Sequence, residues 1–120
     1  MRLVSLLAVV LAILAAACGG GAADLSPLAA EGATLVRTEG CAACHGERGQ
    51  GGVGPAWVGL HGSEVELADG SVVVADDEYL TRAITDPGAE QVAGYQVVMP
   101  GNDLDGDQVA AIVAYLKTLR

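Results

Sequence analysis

The chain contains no phenylalanine, one tryptophan and three tyrosines in 120 residues. A domain this small buries little surface unaided, and few aromatics leave it short of large apolar bodies. That leaves room for an apolar body that is not part of the polypeptide. Basic residues are also scarce, with six Lys and Arg against fifteen Asp and Glu and a formal net charge of −9. This balance disfavours a nucleic-acid partner, whose phosphates demand cationic contacts. It favours a protein partner with a basic docking patch, because opposite charge steers the encounter. Histidine occurs only twice and cysteine only three times. The length allows one domain at most.

One long apolar run is present, at the N terminus. Met1-Arg2 is followed by apolar sequence from Leu3 to Leu14, then Ala15-Ala16-Ala17-Cys18-Gly19. A positive start, an apolar stretch and small residues before a break describe an export signal. The cysteine at the break makes it resemble a bacterial lipoprotein leader, with Cys18 as the lipid-modified residue. The alternative is an uncleaved anchor helix, for which the run is somewhat short of the ~20 residues needed to span a bilayer. The resulting division is a signal peptide over 1–17, a lipidated N terminus and flexible tether over 18–25, and a domain over 26–120. Either reading places the domain outside the bacterial cytoplasm, on the outer face of the cytoplasmic membrane or in the periplasm. Loss of Arg2 with the leader would make the formal charge −10.

The two other cysteines carry the chemistry. Cys41-Ala42-Ala43-Cys44-His45 has two thiols three residues apart and a histidine directly after the second. This is the attachment pattern of c-type haem: the thiols add to the two vinyl groups, and the histidine binds iron. A zinc site would need a second Cys or His pair, and only His61 and Cys18 remain. A thioredoxin-like site would need βαβ patterning, which is missing. One covalent haem c is therefore the expected cofactor, with Cys41, Cys44 and His45 holding it.

Local signals outline a mainly helical domain. Ser26-Pro27 starts a helix that ends near Glu39, before Gly40, with Leu28, Leu35 and Val36 on one face. Gly32 lies near that face and would admit a closely packed second helix. Gly46 to Gly54 is a glycine-rich loop without the strand, helix and Lys-Ser/Thr ending of a phosphate-binding loop. Asp69-Gly70 between Glu64–Leu67 and Ser71–Val74 signals a β-hairpin. A short helix is expected from about Asp77 to Thr85, before Pro87. Asp105 and Gln108 form a capping box that opens the last helix, whose Val109, Ile112, Val113 and Leu116 share a stripe. Leu104 and Val109 are placed as a hydrophobic staple. The acidic run Asp103, Asp105, Asp107 lacks the Gly and Glu of a calcium loop.

An iron held by His45 needs a partner on its other side. Met99 and His61 are the candidates in the mature chain, and Met99, in a loop before the last helix, is preferred because His/Met pairs serve electron carriers. His61 is read as a surface loop residue. The Pro55 carbonyl is the candidate acceptor for the second ring nitrogen of His45, with Gly54 permitting close approach. Trp57 is placed on the haem edge.

Together these residues resemble a class I cytochrome c. More narrowly, the chain is similar to the cytochrome c domain fused to subunit II of caa-type haem–copper oxidases. The likeness runs from Ser26 to Arg120 through Gly40–His45, Gly54–Leu60, Gly62–Val65, Ala75-Asp76, Tyr79-Leu80, Asp86-Pro87, Gly94-Tyr95 and Val98–Pro100. It implies a mainly α fold around one haem with a small hairpin insertion and contact between first and last helices. It also implies His45/Met99 ligation and a haem-contacting Tyr95. The copper domain and paired membrane helices of that subunit are missing here. The expected role is a free-standing, membrane-tethered electron carrier, not an enzyme, passing single electrons between respiratory partners towards a terminal oxidase.

Overall fold

The computed structural model describes residues 24–120. The expected leader and the acylation site Cys18 lie outside the described residues. Among those described there are four helices and one two-stranded sheet, and no helix is long and apolar enough to cross a membrane.

Helix α1 spans Pro27–Thr38. The Ser26 hydroxyl accepts a hydrogen bond from the Ala29 N–H at 3.2 Å. Pro27 occupies the first turn, where its missing N–H leaves no bond unmade. The buried face is Ala29, Gly32, Ala33 and Val36. This corrects the sequence reading, which put Leu28 on that face. Leu28 is 46% exposed and Leu35 is half-buried. The reason lies in the crossing of α1 over the last helix, α4 (Gly106–Leu116). A Cβ on Gly32 would run into the Ala111 carbonyl and the Tyr115 side chain. Only small residues fit at so close a contact, so the larger Leu28 lies to its side.

Helix α4 opens with the capping box the sequence predicts. The Asp105 carboxylate accepts from the Gln108 N–H, and the Gln108 side-chain Oε1 accepts from the Asp105 N–H, both at 2.9 Å. Val109, Ile112, Val113 and Leu116 are all buried. Burying each such side chain contributes about 1.5–3 kcal/mol before the entropy cost of ordering it.

Between these helices come a single helical turn, α2 (Ala42–His45), the hairpin and a third helix. Strands β1 (Glu64–Glu66) and β2 (Val72–Val74) pair antiparallel, with Val65 opposite Val73. The turn closes where the sequence places it, between Leu67 and Ser71. Leu67 donates to the Ser71 carbonyl and Gly70 donates back to Leu67, giving a three-residue loop with Gly70 at φ 86°. The Asp69 carboxylate accepts from both the N–H and the hydroxyl of Ser71, which ties the loop to the start of the second strand. Residues 91–93 run beside β1 through Ala68 N–H to Gln91, Ala93 N–H to Glu66, and a bridge between Leu67 and Val92. Helix α3 spans Asp77–Thr85, capped by the Asp76 carboxylate on the Tyr79 N–H at 2.8 Å. Its Tyr79, Leu80 and Ile84 join Val36, Trp57, Val65 and the α4 stripe in one core.

Candidate functional site

The glycine-rich chain after α2 folds back on that turn. Gly51 donates to the His45 carbonyl, Gly54 to the Cys44 carbonyl and Trp57 to the Gly49 carbonyl. These bonds bring Pro55 and Trp57 against the histidine. The Nδ1 of His45 lies 2.7 Å from the Pro55 carbonyl oxygen. A carbonyl can only accept, so Nδ1 carries the proton and Nε2 keeps its lone pair. Burial holds His45 below the ordinary imidazole value, while the Pro55 hydrogen bond acts the other way. A neutral ring with a free Nε2 is the form that binds a metal. On one face the imidazole stacks on Trp57. Gly54 crowds it as well: a Cβ there would stand 2.8 Å from Cε1. Sequence reasoning assigned Trp57 to the haem edge. The indole borders the cleft but also supports the histidine directly.

Cys41, Cys44, His45, Pro55, Tyr95 and Met99 all border one cleft of about 530 Å³ between α1, α3, α4 and the loop before α4. Its floor is aliphatic, with Leu60, Leu80, Ile84, Ile112 and Leu116 among its walls. Both cysteine side chains are partly accessible. Burial pushes the Cys41 thiol up from its usual value, with the Glu39 carboxylate acting the same way. Met99 is half-buried on a segment without regular structure.

Other features of the site carried no local sequence signal. Four carboxylate side chains, Glu39, Glu64, Glu66 and Glu90, border the cleft, and no Lys or Arg does. Glu90 is held by the Arg82 guanidinium at 2.9 Å. His61 lies elsewhere, bound to Asp77 at 2.8 Å, and Asp77 also takes Lys117 at 2.6 Å. Their separations of 16 and 40 residues put the cluster beyond any local motif.

The donor set fits a covalently held porphyrin. Two thiols on one helical turn, an imidazole with a free Nε2 and a thioether border one deep aliphatic cleft. Gly54 supplies the close approach that the imidazole needs. The comparisons agree with this fit. A cytochrome c family model matches residues 29–120, and the chain belongs to that family. It is a class I cytochrome c, an electron-transfer protein with covalently bound haem c. No curated protein matches the chain.

Proposed function

We propose that the protein is an exported, lipid-tethered monohaem carrier, not an enzyme, moving single electrons between membrane-bound partners towards a terminal oxidase. The observation that carries this reading is the convergence of Cys41, Cys44, His45 and Met99 on one aliphatic cleft. Cys41 and Cys44 would form the two thioether links, and His45 and Met99 would hold the iron. When bound, the haem supplies one reversible electron exchange at its iron.

The chain's own residues keep that exchange clean. Pro55 fixes the tautomer and orientation of His45. Trp57 and Gly54 stop the ring from turning. Met99 would fill the iron's remaining position, so no small molecule needs to bind. The aliphatic walls exclude water, which disfavours added charge in the site and raises the potential. Cys18 provides the tether, and the surplus of acidic residues suits a basic docking patch on the partner.

Three experiments test the reading. Cys41→Ala with Cys44→Ala should leave no haem band on a denaturing gel. The ferrous protein at neutral pH should bind no carbon monoxide. Ready binding would favour a gas-binding or enzymatic haem protein instead. Cys18→Ser should release the protein from membranes or block its processing. A processed, membrane-bound Cys18→Ser protein would rule out the lipid anchor.

A further inference from the structure

We propose that Gln91 and Asn102 are positioning residues that clamp the two ends of the Met99 segment and set how readily Met99 leaves the cleft. The inference rests on the reading of Met99 as the second axial ligand.

The segment around Met99 has little else to hold it. Residues 96–104 make no backbone–backbone hydrogen bond to any described residue. Val97 and Val98 are 60% and 52% exposed, so their side chains anchor it poorly. Pro100 has no N–H to donate. Leu104 packs against the core where the segment meets α4; before it, the hydrogen bonds that tie the segment down come from two side-chain amides. At the front, Gln91 Nε2 donates to the Tyr95 carbonyl at 2.6 Å. Gln91 is itself fixed, because its own carbonyl accepts from the Ala68 N–H in the hairpin turn. At the rear, Asn102 Nδ2 donates to the Ile84 carbonyl at 2.8 Å. Its Oδ1 accepts from the Leu104 N–H at 3.2 Å.

The rear clamp fits its site chemically. Ile84 lies in the last turn of α3, where carbonyls lack an intrahelical donor. Asn102 satisfies that carbonyl with one end of its amide and the chain before α4 with the other. Aspartate could accept from Leu104 but could not donate to Ile84, and its charge would face the negative end of the helix dipole. So Met99 is suspended between the hairpin and α3, with two polar contacts flanking it ahead of the packed Leu104. Losing one such hydrogen bond weakens the hold on the segment by roughly fivefold to tenfold.

The test uses oxidised, haem-loaded protein and imidazole as a competing ligand, followed by absorbance. Asn102→Asp and Gln91→Leu should each bind imidazole about fivefold to tenfold more tightly than the wild type, with the double variant tighter still. The weak long-wavelength charge-transfer band of a thioether-bound ferric haem should fade in the same order. Guanidinium unfolding of the same proteins reports global stability, and it should move far less than the imidazole affinity does. Asn102→Ser is a second rear variant, in case the aspartate variant does not fold.

Met99→Leu separates the two levels of the argument. If it binds imidazole no more tightly than the wild type, the ligand assignment falls and the clamp falls with it. If it binds much more tightly while the Gln91 and Asn102 variants stay within twofold of the wild type, the clamp alone is overturned. Affinities that change only in proportion to global stability also overturn it.

Discussion

His45 and Trp57 stack with ring centroids 4.6 Å apart and planes 21° from parallel. The imidazole is thereby held by an aromatic face, a carbonyl and a glycine. The contact couples the core to the site, since Trp57 is also buried among the core side chains.

Trp57→Ala should therefore act on both. It should cost about 3–5 kcal/mol of stability, the usual range for emptying an aromatic core position. It should also let the His45 ring reorient, shifting the His45 ring resonances in the oxidised protein. Trp57→Phe keeps a stacking face and should retain most of both. Equal losses in the two variants would show that indole volume, and not the stack, supports the site.

Two glycines make opposite predictions about what breaks. Gly32→Ala pushes α1 off the Ala111 carbonyl, so it should lower global stability by about 1–3 kcal/mol or more and leave the haem spectrum unchanged. Gly54→Ala drives a methyl into the His45 ring, so the spectrum and haem incorporation should suffer first. Gly88→Ala meets nothing within 4 Å and serves as the neutral comparison. Unfolding curves beside absorbance spectra distinguish the three. An altered spectrum in Gly32→Ala would mean that the helix contact and the site are not separable.

The features legible in the sequence share one property: each is decided within a few residues. Ser26-Pro27, Asp105 with Gln108, and Asp86-Pro87 set helix ends through neighbouring backbone groups, and the helices begin and end there. The turn Cys41–His45 and the nearby Gly54-Pro55 belong to the same class. Leu28 was misplaced because helical periodicity alone cannot tell that the partner helix comes too close for a leucine. The hairpin belongs to the local class too: its loop closes between Leu67 and Ser71, the ends of the two runs that flank Asp69-Gly70. The His61–Asp77–Lys117 cluster, the Asn102–Ile84 bond and the carboxylates around the cleft join distant segments. They exist only once α3, α4 and the hairpin have packed.

That cluster predicts a pH dependence. Hydrogen bonds from Lys117, then from His61, hold the Asp77 carboxyl below the usual carboxylate range. A group whose folded value is depressed adds stability above its unfolded value of about 4. That stability is lost as pH falls from there through the lower folded value. Asp77→Asn should thus be less stable than the wild type at pH 6, and the gap should close below about pH 4. Because the group is exposed, the gap should be small and should shrink with salt. Guanidinium midpoints across this range check it. Parallel curves for the two proteins would mean that the cluster adds no linked stability.

The carboxylates around the cleft predict how the partner is met. Glu39, Glu64 and Glu66 border it with no Lys or Arg between them, and exposed Val53, Val97 and Val98 lie beside the same opening. Such a face suits a partner surface with an apolar centre and basic surroundings. Long-range attraction should fade as the screening length shrinks from ~10 Å at 0.1 M salt to ~3 Å at 1 M. The second-order rate of electron transfer to the physiological acceptor should therefore fall as salt rises. Glu64→Lys and Glu66→Lys should slow it and flatten its salt dependence. Glu31→Lys and Asp107→Lys, which change net charge equally but do not border the cleft, should do so much less. Stopped-flow rates over a salt series compare the four variants. Equal slowing by all four would mean that only overall charge steers the encounter. A rate that is flat with salt would mean that apolar contact at the three valines controls docking, and the carboxylates would then serve solubility alone.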